Sequence, residues 1–139
     1  MIAGFLDTNI LLYSISTVPA EAEKRAIAQG LIDQDGWGLS VQVLQEFYVQ
    51  ATRAGRADAL PHDLAAEFIR VWMRFTVQDM TSSVMLNALD IRARCGFSYW
   101  DSAIVAAAAA LGARRLYSED LQHGRIVDGV EIVDPFRKA

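Results

Sequence analysis

Four carboxylates are the residues of this sequence best placed for chemistry: Asp7, Glu46, Asp101 and Asp120. Asp7 stands where the apolar run Met1–Leu6 gives way to Asp7-Thr8-Asn9, before a second apolar run, Ile10–Tyr13. Asp120 closes the run Tyr117-Ser118-Glu119-Asp120, just after an expected strand. Asp101 falls in the first turn of an expected alanine-rich helix, and Glu46 inside the helix that follows the second strand. Strand C-termini and helix N-termini share one edge of a parallel α/β layer, where such sheets keep their sites. Two or three of these acids can therefore converge. Unpaired carboxylates crowded together repel one another, so a cluster of them needs cations or protons. Hard divalent cations such as Mg²⁺ and Mn²⁺ take such oxygens. Held in pairs about 4 Å apart, such ions activate water and stabilise charge on a phosphoryl group.

Each acid also has a plainer role. Asp7 and Asn9 have the composition of an Asx-type turn that bonds its own backbone. Asp101 lies at the capping-box spacing from Ser98 and complements the helix dipole. Leu44, Phe47, Tyr48 and Ala51 form one apolar stripe, leaving Glu46 on the opposite side with Gln42, Val49 and Arg53, where a solvated glutamate is ordinary. Asp120 reads equally as a turn acid beside Glu119. Asp7 is the strongest case, because apolar residues flank its turn on both sides.

Bulk composition narrows the alternatives. At 139 residues and 53% hydrophobic, the chain is long and apolar enough for a single domain, 1–139, with a true core and a face for a partner. No apolar run approaches the roughly 18 residues of a membrane span, and the N-terminus does not read as a signal peptide. Cys95 is the only cysteine, which removes a disulfide framework and a cysteine-rich zinc site and fits a reducing cytoplasm. Thirteen Lys and Arg against seventeen Asp and Glu leave a net charge of −4, which argues against a simple basic nucleic-acid patch. Four acids holding divalent cations would account for that whole excess. Eleven of the basic residues are Arg; codon composition explains this bias more simply than phosphate recognition does.

Rival chemistries lack their residues. His62 and His123 do not have zinc-ligand spacing and suit surface or capping roles. No Gly-rich phosphate loop, Ser elbow or Cys–His context occurs. Phe68, Val71, Trp72 and Phe75 read as core or subunit interface. Trp37 and Trp100 have the chemistry to stack on bases, although packing is the commoner role.

The elements that must position the acids follow from local signals. After the opening strand, Ala20–Ile32 reads as a helix and Asp33–Gly36 as a turn. Trp37–Ser40 reads as a strand ending on a helix cap, and Val41–Ala54 as a helix stopped at Gly55. Pro61 opens a helix to about Trp72, and Phe75–Val77 is strand-like. Thr81 or Ser82 caps a helix to Arg94, ended by Gly96. Ser98 caps the alanine-rich helix that runs to Gly112. Arg115–Tyr117 and Val130–Val133 are strands. Strands separated by helical crossovers predict a three-layer α/β/α sandwich with a short, mainly parallel sheet of four or five strands.

Four blocks of the sequence then match a known pattern: Phe5-Leu6-Asp7-Thr8-Asn9-Ile10-Leu11, Leu44-Gln45-Glu46-Phe47-Tyr48, Tyr99-Trp100-Asp101-Ser102-Ala103-Ile104 and Leu116-Tyr117-Ser118-Glu119-Asp120-Leu121. In these blocks the chain resembles PIN-domain ribonucleases, in particular the VapC-type toxins of bacterial type II toxin–antitoxin modules. Each block is short, but their order and spacing together are specific. The resemblance implies a PIN α/β/α sandwich and a Mg²⁺- or Mn²⁺-dependent endoribonuclease. It implies Asp7, Glu46, Asp101 and Asp120 as the catalytic, metal-binding acids, supported by Thr8, Asn9 and Ser118. It also implies an RNA substrate, a homodimer and a cognate antitoxin that occupies the cleft. Ser118 departs from the Thr of many relatives but keeps the hydroxyl.

Two other classes compete. A phosphatase with Asp7 as covalent nucleophile also opens on strand-Asp, but it wants a second Asp where Asn9 stands and a Lys that the chain does not place suitably. A non-catalytic PIN-like scaffold binding RNA or protein would have been favoured by loss of one or two of the four acids.

Overall fold

A computed structural model describes residues 2–138. The first strand, β1 (Gly4–Leu6), is buried along its length and gives way at Asp7 to a short helix, α1 (Thr8–Ser14). A single 3₁₀ turn (Pro19–Glu21) leads into α2 (Ala22–Ile32), and β2 (Trp37–Ser40) leads into α3 (Val41–Ala51). Helix α4 (His62–Trp72), β3 (Thr76–Gln78), α5 (Ser82–Cys95) and α6 (Tyr99–Ala110) follow. Strands β4 (Arg115–Tyr117), β5 (Ile126–Val127) and β6 (Val130–Val133) complete the chain. The expected opening strand is shorter than its apolar run; Met1 lies outside the described residues.

Local chemistry accounts for the helix ends. Ser40 accepts a hydrogen bond from the Val43 amide, Thr81 from Val84 and Ser98 from Asp101, each satisfying an orphan donor of a first turn. Gly96 ends α5 at φ 77°, a conformation that glycine adopts without a Cβ penalty. The helix α1 had no counterpart in the sequence reading. Asp7 is its N-cap, and a run of only four apolar residues is too short to distinguish helix from strand by period.

The sheet runs β3-β2-β1-β4-β6-β5, parallel throughout except for β5, which pairs antiparallel with β6. It has six strands, against the expected four or five. The extra strand is Ile126–Val127, a two-residue hairpin arm with Asp128 and Gly129 both at positive φ in the turn. Helices cover both faces. Helix α6 packs on α5 and crosses β2, β3, β4 and β6, while α1 packs on α2 and α3, and α3 on α4. The alanine run explains the first of these layers. Ala103, Ala106, Ala107 and Ala108 are essentially inaccessible, and their small side chains let α6 lie close on the sheet.

Gly4 sets the spacing at the sheet centre. A Cβ there would meet the Trp37 ring at 3.0 Å and the Tyr117 ring at 3.1 Å. These rings meet edge-to-face across it, 5.4 Å between centroids. Of the stripe expected in the core or at a subunit interface, Trp72 and Phe75 are buried, Phe68 is half-buried and Val71 is exposed.

Candidate active site

Strand β1 connects through helices to β2 on one side, and it pairs with β4 on the other. The crevice at its C-terminal end is therefore a topological switch point, where open α/β sheets place ligands. Asp7 is the residue delivered there. Leu6 pairs with Tyr117, so Asp7 lies level with Ser118 at the end of β4. The Asp7 amide donates to the Tyr117 carbonyl at 3.0 Å.

Both oxygens of Asp7 are engaged. Oδ1 accepts the Thr8 amide at 2.6 Å, which is the N-cap of α1. Oδ2 accepts the Ser118 hydroxyl at 2.7 Å, and the Asn9 amide lies 3.5 Å from it. The turn reading of Asp7 thus survives as geometry: the cap aims the carboxylate at the sheet edge. Asn9 also donates to Asp120 Oδ2 at 3.1 Å and accepts from the Glu119 amide at 3.3 Å. The Asp120 amide in turn donates to the Ser118 hydroxyl at 3.2 Å. Asn9 and Ser118 therefore stitch the 118–120 turn to the start of α1.

Glu46 reaches the same region from α3. Thr8 Oγ1 donates to its Oε2 at 3.2 Å and Gln42 Nε2 to its Oε1 at 2.8 Å, one donor for each oxygen. It is half-buried rather than freely solvated. Its helical neighbour Gln42, expected on the solvent side, is buried. The same Gln42 nitrogen donates to the Trp100 carbonyl at 3.0 Å, which ties α3 to the first turn of α6. Periodicity within α3 does not register a distant carbonyl that comes to meet its polar side. Asp101 lies in that first turn, its amide on Ser98 as the capping-box spacing predicts.

Electrostatics join the four acids. The Asp7 carboxyl is pushed from 3.8 up to about 6, first by burial, while Ser118 and Thr8 work against the rise and the charges of Glu46 and Asp120 add to it. Asp101 is also raised, first by burial, opposed by Ser98 and reinforced by the charge of Asp120. Among the described residues, none of the four takes part in a salt bridge.

Among the described residues, no three His, Cys, Asp or Glu stand together closely enough to hold a metal ion as they are placed. The acids are linked pairwise by charge, Asp7 with Glu46 and Asp120 and Asp101 with Asp120, without forming a closed coordination sphere. The chemistry of the donor set is nevertheless that of a hard cation site: carboxylate oxygens, hydroxyl and amide support, and no basic side chain to neutralise them. The other residues weighed in the sequence have structural partners. His62 meets the Tyr48 hydroxyl at 2.9 Å, and His123 Nδ1 accepts the Asp134 amide at 3.0 Å.

The PIN domain family model matches residues 4–128, nearly the whole chain. The chain belongs to the PIN domain family. Solved structures agree on the fold. A toxin–antitoxin complex from Klebsiella pneumoniae superposes with TM-score 0.68 at 18% identity, over 98% of this chain and 100% of that one. VapC20 of Mycobacterium tuberculosis, a sarcin–ricin-loop-cleaving toxin, gives TM-score 0.68 at 19% identity, over 85% and 92% of the two chains. FitAcB of Neisseria gonorrhoeae gives 0.69 at 16% identity, over 99% and 100%. No curated protein sequence matches. The fold and the family expected from the four sequence blocks are those found.

Gln42 is the residue that sequence reasoning missed in this PIN domain. Its signal was available in its position, one helical turn before Glu46 on the same face, at the spacing that lets an amide reach a carboxylate.

Proposed function

We propose that this PIN domain is a Mg²⁺- or Mn²⁺-dependent endoribonuclease, acting as the toxin of a toxin–antitoxin pair in the cytoplasm. The reading is supported by four acids that influence one another's charge with no basic partner among the described residues, one of them, Asp7, with its pKa pushed up to about 6 by burial and then by its acidic neighbours. In this reading Asp7, Glu46 and Asp101 would hold the principal cation. Asp120 would hold a second, weaker one or orient the attacking water. When bound, such an ion supplies a Lewis acid to the phosphoryl group and lowers the pKa of a water.

The chain's own part is positioning. Ser118 and the Thr8 amide fix the two Asp7 oxygens, and Thr8 and Gln42 fix those of Glu46. Asn9 keeps Asp120 beside Asp7. Neither histidine has a place in this chemistry, because a bound cation would lower the pKa of the attacking water enough for it to lose its proton to solvent without a histidine base.

RNA as substrate has the support of VapC20, a sarcin–ricin-loop-cleaving toxin of the same fold. An antitoxin has the support of a fold neighbour solved as a toxin–antitoxin complex. It also has a surface to suit it: Leu44, Tyr48, Val49, Ile69 and Met73 line an apolar channel of about 500 Å³ between α3 and α4. Leu86 and Leu89, exposed on α5, offer a face for a second copy in a homodimer. Among the described residues no helix is long and apolar enough to cross a membrane.

The deciding experiment incubates antitoxin-free protein with tRNA, rRNA and mRNA in Mg²⁺, Mn²⁺ or EDTA, and maps the cuts. Site-specific cleavage that EDTA stops is the expected result. RNA bound but left intact across the metal titration would show a binding module instead.

A further inference from the structure

Trp100 has no task in the ribonuclease reading, yet its placement is unusual. Trp37 and Trp72 are 2% and 3% exposed, whereas Trp100 is 61% exposed. Its ring lies edge-on to Tyr99, 5.0 Å between centroids at 78°. It forms one wall of an open cleft of about 520 Å³, whose other walls are Gln42, Gln45, Glu46, Val49 and Gln50. A site acid therefore borders the same cleft as an accessible indole.

We propose that this cleft is a nucleobase subsite: the Trp100 indole stacks on the base of a nucleotide beside the cleaved phosphate, and Gln45 and Gln50 hydrogen-bond the edge of that base. The inference rests on the ribonuclease reading and extends it to how the substrate is seated. Stacking on an aromatic face serves any base and is the usual way of holding unpaired RNA. The lining holds no Lys or Arg, so phosphate is not its ligand. Each primary amide offers two donors and an acceptor, the complement of a base edge. Among the described residues the side chains of Gln45 and Gln50 make no hydrogen bond, so both are free to do this.

Gln42 fixes the subsite relative to the acids. It is 5% exposed, and its Nε2 donates to Glu46 and to the Trp100 carbonyl at once. Both partners are acceptors, so the amide nitrogen must face them, which leaves Oε1 buried without a partner. One side chain thus sets the distance between the stacking residue and Glu46. Asp101 follows Trp100 directly, so a base on the indole belongs to a nucleotide at the acids.

Intrinsic fluorescence tests this, because Trp100 is the accessible one of the three tryptophans. The full chain carrying Asp7→Asn, with Mg²⁺, is titrated with short single-stranded RNA. Saturable quenching is expected. Trp100→Phe should bind while losing the quench, and Trp100→Ala should bind about fivefold or more weakly. An oligonucleotide abasic throughout should bind more weakly than the intact one. Gln45→Leu with Gln50→Leu should keep the quench and change the order of affinity among oligo-A, oligo-C and oligo-U. Unchanged affinity in Trp100→Ala, saturable binding without quenching, or equal affinity for the abasic strand would overturn the subsite; an unchanged base order would overturn its edge contacts. Wild-type cleavage of the same RNA in Mn²⁺ is scored separately. Cleavage without quenching sinks the subsite alone, and quenching without cleavage sinks the ribonuclease reading alone.

Discussion

Glu119 and Asp120 are adjacent in the chain and live in opposite electrostatic worlds. Glu119 turns toward α2 and meets Lys24 in a salt bridge, while the Tyr13 hydroxyl donates to it at 2.6 Å. Burial works to raise its pKa, but these donors and the Lys24 charge win and hold it below the usual range. Lys24 in turn lies over the rings of Tyr13 and Phe136. Asp120 turns toward Asp7 and Asp101, where no cation waits, and raises both. The first arrangement is complete within the chain and serves to pin the tail and α2 to the 118–120 turn. Under the proposed function, the second would be completed by a cation from outside. A carboxylate that is finished by its own fold is structural; a group of carboxylates without a cationic partner is a candidate site.

The largest test of this contrast removes the charge at the centre of the unfinished group. Asp7→Asn keeps an N-cap side chain and should fold, yet lower metal-dependent RNA cleavage by about 10³-fold or more, since a lost ligand forfeits several kcal/mol of transition-state stabilisation. Gel-resolved cleavage rates and thermal unfolding measured together check both halves. An active variant would remove Asp7 from the site.

A second test reads the same strain without catalysis. Asp7 has a folded pKa of about 6 against 3.8 unfolded, so its contribution favours the metal-free fold below pH 4 and is lost as pH rises through 6. The amount is roughly 3 kcal/mol. Denaturant melts of metal-free protein at pH 5 and pH 7.5 should show this component falling with pH. Asp7→Asn should flatten it, and Mg²⁺ should restore stability at the higher pH.

Ser118→Ala comes next. It removes the buried hydroxyl that donates to Asp7 and accepts from the Asp120 amide. Stability should drop by about 1–3 kcal/mol, and Mn²⁺ affinity, followed by calorimetry, should weaken. Ser118→Thr should recover both.

The smallest effect belongs to the finished carboxylate. The Lys24 ammonium is pushed up to about 12, chiefly by its hydrogen bond to Glu119, but the side chain is 41% exposed and solvent screens the pair. Lys24→Met should cost about 1 kcal/mol or less in chemical denaturation and leave the RNA cleavage rate within about twofold. A large loss of cleavage would mean that the two regions are one.

The element ends were legible because their causes are local. Ser40, Thr81 and Ser98 cap the helices they precede, Gly96 ends α5, and β2 spans the residues its composition predicts. Asp7 at the end of a buried strand was legible for the same reason. Glu46 was not: its periodicity assigned it to solvent, and only the four sequence blocks taken together named it. Its true setting comes from Thr8, 38 positions away in sequence, and from Gln42, which also reaches across to Trp100, 58 positions on. Residues 126–127 escaped because a two-residue strand carries no period.

The sequence by itself determined which oxygens and hydroxyls this protein has to offer, and that those of Asp7, Asp101, Ser118 and Asp120 would sit near an element's end. Capping, turn and burial signals act over one to four residues and are written in neighbouring side chains. Only the tertiary structure decided which of those groups meet. That depends on the order β2-β1-β4, which brings Ser118 and Asp120 beside Asp7 across 111 or more positions, and on the first turn of α6 coming within hydrogen-bond reach of Gln42 on the side of α3 that its own period leaves polar. It also decided that Trp37 packs while Trp100 faces the cleft. No local pattern separates two tryptophans whose difference lies in what the rest of the chain folds against them.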